Sequence, residues 1–219
     1  ANTTAANNTA VGAEALGATT TGGYNVAVGH AALDANTTGT TNVAIGQNSL
    51  GGNTTGGDNV AVGQSALLVA TEASNNTAVG SYVLDAATSG TANIGMGKNA
   101  LTALTTGNYN SGLGAYAGDV ITTGSNNASL GYQADPSAAD ASNEITLGNS
   151  SISSIRCQVQ TISSLSDVRD KENIEELPLG VEFINTLRPV KFDWAMRDGM
   201  QEGVQEIGFV AQELDKAQQ

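Results

Sequence analysis

The sequence predicts a mainly β protein: a rod of stacked 17-residue rungs over residues 1–148, followed by a small α+β segment. Three observations predict it. The frame Asn-x-Ala-Val/Ile-Gly recurs without insertion or deletion, its asparagine at Asn8, Asn25, Asn42, Asn59, Asn76, Asn93, Asn110 and Asn127. Its glycine keeps step from Gly12 to Gly131, and the phase reaches Gly148. A fixed period of this length marks units that bury their apolar faces only by stacking on one another. The second observation is composition: 4% of the residues are aromatic and 13% charged, while Gly, Ala, Thr and Asn dominate. A compact globule of 219 residues would need more large apolar side chains to offset its conformational entropy. The third is a sharp change of composition near residue 150, where the period stops.

Within one rung, Val43 and Ile45 lie on one face of a strand and Ala44 on the other. The in-phase leucines Leu16, Leu33, Leu50, Leu67, Leu84 and Leu101 supply a second apolar position. Small residues at Ala10, Ala27, Ala44, Ala61 and Ala78 leave room for another layer. Thr-Thr-Gly at 20–22, 37–39, 54–56 and 105–107 is turn chemistry, with the glycine expected at positive φ. The asparagines are expected to stack as a ladder, each amide bonding to the next. Eight rungs at ~4.8 Å would extend roughly 40 Å. After Gly131 the pattern fades, with Asp135-Pro136 in the leucine region and Glu144 in place of asparagine, so the stack is expected to finish there.

The formal net charge is −13. Residues 1–150 hold one cation, Lys98, against nine acids, and residues 151–219 hold seven cations and twelve acids. Without a basic patch, nucleic-acid binding is disfavoured. No stretch approaches the ~18 apolar residues of a membrane span, so membrane insertion is not expected. Cys157 is a lone cysteine and reads as a small strand hydrophobe. His30, at a variable rung position, reads as a surface side chain. Opening at Ala1-Asn2 without methionine, the chain reads as a piece of a longer protein.

This rung resembles the head repeats of trimeric autotransporter adhesins and, more closely, the repeats of phage tail fibres. The resemblance implies a parallel β-roll or β-helix assembled as a homotrimer. An open stack of small rungs with modest burial per chain also favours self-association over a lone monomeric solenoid.

Beyond residue 148 the reading changes. Residues 149–165 form a strand and linker, with Ile155, Cys157 and Val159 alternating. Pro178 to Leu187 reads as a short helix, Val190–Trp194 and Ile207–Val210 as strands, and Ala211 as the start of another helix. Trp194 is placed in the small core of this segment. Three ordered blocks then carry a second resemblance: Ser166-Asp-Val-Arg-Asp-Lys-Glu-Asn-Ile174, Leu187-Arg-Pro-Val190 with Phe192-Asp-Trp194, and Ile207-Gly-Phe-Val-Ala-Gln-Glu213. Residues 166–219 look like the first part of the endosialidase-type intramolecular chaperone domain. The family runs on into long helices beyond the length present here. The resemblance implies a domain that trimerises the β-structure before it and then cuts itself off through a Ser/Lys dyad. Carried over, Ser166 attacks the Leu165–Ser166 bond and Lys171 is its base, with Asp167, Arg169 and Asn173 as supporting motif positions.

The chemistry is consistent with those residue types. A serine hydroxyl becomes nucleophilic when a base takes its proton, and a lysine can do so when desolvated and neutral. A nucleophile beside its own scissile bond turns the attack into an intramolecular step. Taken without the blocks, Ser166 and Lys171 read as a helix cap and a solvated turn.

The function implied is a structural, receptor-binding tail fibre in the virion, contacting other tail proteins and a host surface receptor, glycan or protein. The competing class is a trimeric adhesin head at a bacterial surface. A sugar-degrading spike enzyme finds no paired acids in the repeats, and any enzymatic activity would be a single self-cleavage. Threonine columns suggest an ice-binding face, but Glu72 interrupts them. No cofactor and no metal site is expected, since the rungs carry no regular Asp columns for a hard cation.

Overall fold

A computed structural model describes residues 4–156, 187–193 and 205–210. The chain divides into two units, Ala1–Arg156 and Cys157–Gln219. Unit one is a parallel β-solenoid. Its strands are β1 (Thr9–Val11), β2 (Val26–Val28), β3 (Val43–Ile45), β4 (Val60–Val62), β5 (Thr77–Val79), β6 (Ile94–Met96), β7 (Ser111–Leu113), β8 (Ala128–Leu130) and β9 (Ile145–Leu147). They form one sheet in chain order, and every pairing is residue i on residue i+17, as in Ala27↔Ala44 and Ala44↔Ala61. No helix occurs among the described residues.

From β2 to β8 the middle residue of each strand points into the core. Ala27, Ala44, Ala61 and Ala78 are fully buried, and the leucines from Leu33 to Leu101 pack with them. Core volume is traded between neighbouring turns. Val83 stands where other turns carry Ala66 or Ala100, and Gly95 replaces alanine on the next strand. A Cβ on Gly95 would collide with the Val83 side chain. Interiors packed to crystal density tolerate a larger residue only where a neighbour gives way.

The asparagine column forms the expected ladder with more bonds per rung than one. The Asn42 backbone N–H donates to Asn25 Oδ1 at 2.9 Å, and its Nδ2 donates to the Gly56 carbonyl at 2.9 Å. Its own Oδ1 accepts from both the backbone N–H and the Nδ2 of Asn59, each at 3.0 Å. The same set recurs at Asn59, Asn76, Asn93 and Asn110. A buried amide with every group bonded stabilises, whereas an orphaned one costs about 1–3 kcal/mol.

One reading of the turns is corrected. The glycines of Thr-Thr-Gly (Gly22, Gly39, Gly56 and Gly107) do not have positive φ. They are required because the turns lie so close: a Cβ on Gly39 would strike the Gly56 carbonyl oxygen, and one on Gly22 the Gly39 carbonyl. Positive φ falls instead on the glycine after each strand, such as Gly29 at +136° and Gly46 at +133°. It also falls on three columns of non-glycine residues, including Leu33, Leu50 and Leu67 near +51° and Asn7, Asp58 and Asn75 near +60°. The pattern fades after Gly131, but the stack runs one strand further: β9 pairs in register, Ala128↔Ile145 to Leu130↔Leu147, and ends just before residue 148. There Glu144 holds the ladder position. Its backbone N–H donates to Asn127 Oδ1, and its carboxylate accepts from the Ser137 hydroxyl and N–H.

The threonine column is bonded along the axis. Hydroxyls of Thr20, Thr37, Thr54 and Thr105 donate to the carbonyl 17 residues on. After β9 the chain from Ile152 to Arg156 forms no strand, so Ile155 is not part of one. Cys157 and Val159 lie outside the described residues.

In unit two, β10 (Val190–Asp193) pairs antiparallel with β11 (Gln205–Gly208). Trp194 and the helical readings at 178–186 and from Ala211 lie outside the described residues, and Leu187 is not helical.

Candidate functional site

Three places hold the candidate functional residues: the motif blocks of unit two, the outward strand face of the solenoid, and its acidic last turns.

In unit two, two of the three motif blocks meet. Val190 of the Leu-Arg-Pro-Val block pairs with Gly208, Lys191 with Ile207, Phe192 with Glu206 and Asp193 with Gln205. Gln205 Nε2 donates to Asp193 Oδ1 at 3.0 Å. A Cβ on Gly208 would lie 3.5 Å from the Phe192 ring, an ordinary contact. Ile207, Phe209 and Val210 remain exposed. The dyad candidates Ser166 and Lys171, the bond Leu165–Ser166, and Asp167, Arg169 and Asn173 all lie outside the described residues.

Residues 166–219, about a quarter of the chain, match the family model described as the chaperone of endosialidase. A β-solenoid followed by such a segment fits a tail-spike-like protein. No curated protein matches the chain, and no solved structure does.

On the solenoid, the strand residues flanking each buried alanine face outward. One column runs Val11, Val28, Ile45, Val62, Val79, Met96, Leu113, Leu130 and Leu147. Two places earlier a second column holds Val26, Val43, Val60, Ile94 and Ile145. Ile45 is 40%, Leu113 52% and Ile145 77% exposed, while Ala44 between its two neighbours is 0% exposed. Periodicity alone could not say which face of the strand is the core, because small alanines and branched valines both suit an interior. The leucine column decides it by filling the space behind the alanines.

Where β8 and β9 end, Leu130, Tyr132, Leu147, Ile152 and Ile155 line an apolar cleft of about 580 Å³. Tyr132 meets Tyr116 edge-on, their ring centroids 6.1 Å apart.

The last turns are acidic and polar. Asp135 occupies the leucine column, 17 residues after Gly118 and 34 after Leu101. Burial, together with the charge and hydrogen bond of Asp119, holds the Asp135 carboxyl above its ordinary pKa, opposed by the N–H groups of Asp119 and Val120. Glu144 is shifted the other way by its two bonds from Ser137. This acid pair was not legible as one, since its members stand 16 residues apart and meet only when the turns stack. Among the described residues no group of three or more His, Cys, Asp or Glu converges. His30, a surface side chain as read, places Nε2 3.5 Å from Glu14.

Proposed function

We propose that this chain is the distal shaft of a phage tail fibre. Three copies associate through the outward strand face, and a C-terminal chaperone segment is released by cleavage between Leu165 and Ser166. The observation that supports the reading most is the pairing of a fully stacked solenoid with a chaperone-of-endosialidase segment in one chain. The strand face adds to it. One column apolar along all nine strands, flanked by a second that is Val or Ile in five of them, is more than scattered surface residues, and contiguous apolar surface of this kind marks a protein interface. A homotrimer would cover it with copies of itself, leaving the loop turns to contact a glycan or protein receptor.

In the cleavage step Lys171 takes the Ser166 hydroxyl proton as the oxygen attacks the Leu165 carbonyl carbon, and the Ser166 amine leaves with that proton, giving an ester between Leu165 and the Ser166 oxygen. Water then hydrolyses the ester, which leaves a Leu165 carboxylate and restores the Ser166 hydroxyl. The products are a fibre ending at Leu165 and a chaperone beginning at Ser166. Expression with the complete chaperone, followed by N-terminal sequencing of the released piece, tests this. Ser166→Ala should leave a folded, uncleaved assembly. A fragment still starting at residue 166 in that variant would overturn the assignment.

A further inference from the structure

The stack ends in a fixed reversal of the chain. Gly148 sits at φ +71°, and a Cβ there would strike the Ile152 side chain, so a larger residue would push the tail off the last strand. Asn149 holds the turn: its Oδ1 accepts the Ser151 N–H at 3.0 Å, and its carbonyl accepts the Ile152 N–H at 3.1 Å. Ile152 is thereby pinned over Gly148 and becomes one wall of the cleft that Leu130, Leu147 and Tyr132 also line. Three residues on, Ile155 stands at the same cleft, belongs to no strand and is 67% exposed. The cleft's volume of about 580 Å³ falls in the ~300–1,000 Å³ range of sites that enclose a ligand. Its own isoleucines form the wall and leave that space open.

Three features select a second copy of this chain as the occupant. Leu130 and Leu147 are the last two members of the outward apolar column, so the cleft continues the face along which copies are proposed to associate. None of its lining residues is Asp, Glu, Lys, Arg or His. Chains of net charge −13 can therefore meet there without pressing like charges together. The third feature is complementary charge beside the apolar contact. Arg156 follows Ile155 and is exposed, while Asp135 lines a neighbouring cavity that shares Gly148, Asn149 and Ser151 with the cleft. An isoleucine seated in the next copy's cleft brings its arginine toward that copy's carboxylate.

We propose that Ile155 of each copy fills the Leu130, Leu147 and Tyr132 cleft of the next, a contact that rests on the trimer reading and closes as a ring of three. Every residue of the ring precedes the Leu165–Ser166 bond, so the contact stays with the fibre when the chaperone segment is released.

Cross-linking of the full chain tests it. In a Cys157→Ser background, Tyr132→Cys combined with Ile155→Cys and treated with a short bismaleimide should run as linked dimers and trimers on a denaturing gel. Ile155→Cys alone should run as a monomer. A parent that sediments as a monomer would fail the trimer reading and this contact with it. A trimeric parent whose double variant links only within single chains would overturn the cleft contact alone, and leave the cleft to a partner of another kind. Links formed by Ile155→Cys alone would also overturn it, since they would set the tails against one another. Should the cysteine pair disturb folding, Ile155→Glu gives a second readout: its trimer should dissociate on heating ~3 °C or more below the parent, while Ile155→Leu matches the parent. Equal melting of the glutamate and leucine variants would overturn the proposal.

Discussion

Three residues after each leucine the chain carries an interior position: Thr19, Asn36 and Asn53 in the first turns, Leu104 and Ile121 in the later ones. Ala70 and Ala87 stand between. In the first region this column is a second amide ladder. Asn53 Nδ2 donates to Asn36 Oδ1 at 2.9 Å and to the Gly56 carbonyl at 3.1 Å. The ladder ends unfinished, because Asn53 Oδ1 and Thr19 Oγ1 find no partner among the described residues. In the second region the column is apolar: Leu104 takes the space a Cβ on Gly107 would need, and Ile121 crowds that of Gly118, where the leucine column has shrunk to glycine. The difference teaches that the turn repeat fixes backbone register and not side-chain chemistry. A column can be polar only if the next turn answers it, and large only if a neighbouring column shrinks.

Ways to break the comparison can be ordered by size. The main ladder has partners on both sides along most of its length, so Asn59→Ala should cost most. It strips the Ala73 carbonyl and the Asn76 N–H of partners in a buried setting. A loss of about 3–5 kcal/mol is expected in denaturant unfolding, on the scale of two orphaned groups plus a small cavity. Leu104→Ala follows at about 2–4 kcal/mol, since the facing glycines cannot expand into the void. Asn53→Ala should cost only about 1 kcal/mol. It removes two donated bonds but also an unpartnered oxygen, and Ala70 already shows that the position accepts a methyl group. Equal losses at Leu104 and Asn53 would show that the two regions do not differ as described.

The smallest effect depends on pH. Because the Asp135 pKa is raised in the folded chain, the unfolded chain gives up this proton first as pH rises, and stability from this group falls. The penalty is absent below the ordinary aspartate range and complete once pH passes the folded value. Asp135→Asn should therefore melt higher than the parent at pH 7 and equal to it near pH 3. A gap that widens toward low pH would reverse the sign and contradict the assignment.

Much of this architecture was legible from phase alone. The unbroken spacing from Asn8 to Asn127 gave the rung length, the strand positions and the asparagine ladder. Backbone conformation was not legible at the leucines. Leu33 and Leu50 adopt positive φ, which intrinsic preference opposes and which only the imposed stack explains. The residue before each ladder position offered a partial signal: five of nine (Asn7, Asp58, Asn75, Asn126 and Asn143) are types that tolerate this region, while Tyr24, Thr41, Ala92 and Tyr109 are held there by the stack. Thr-Thr-Gly misled because glycine has two uses, and close approach was the one in play. The pattern fades at Glu144, yet the phase to Gly148 holds, because the Glu144 backbone N–H keeps the ladder bond. In unit two the strand signals at Val190 and Ile207 found β10 and the later half of β11.

The central claim is that the outward Val/Ile/Leu columns are covered by two further copies of the chain. Sedimentation equilibrium at micromolar concentration tests it most directly, comparing the parent with Leu113→Glu, a change on the exposed side of β7 that leaves the core untouched. The account predicts a mass of three chains for the parent, and dissociation with the β-sheet circular dichroism retained for the variant. A parent that sediments as a stable monomer, or a variant that remains trimeric, would contradict it.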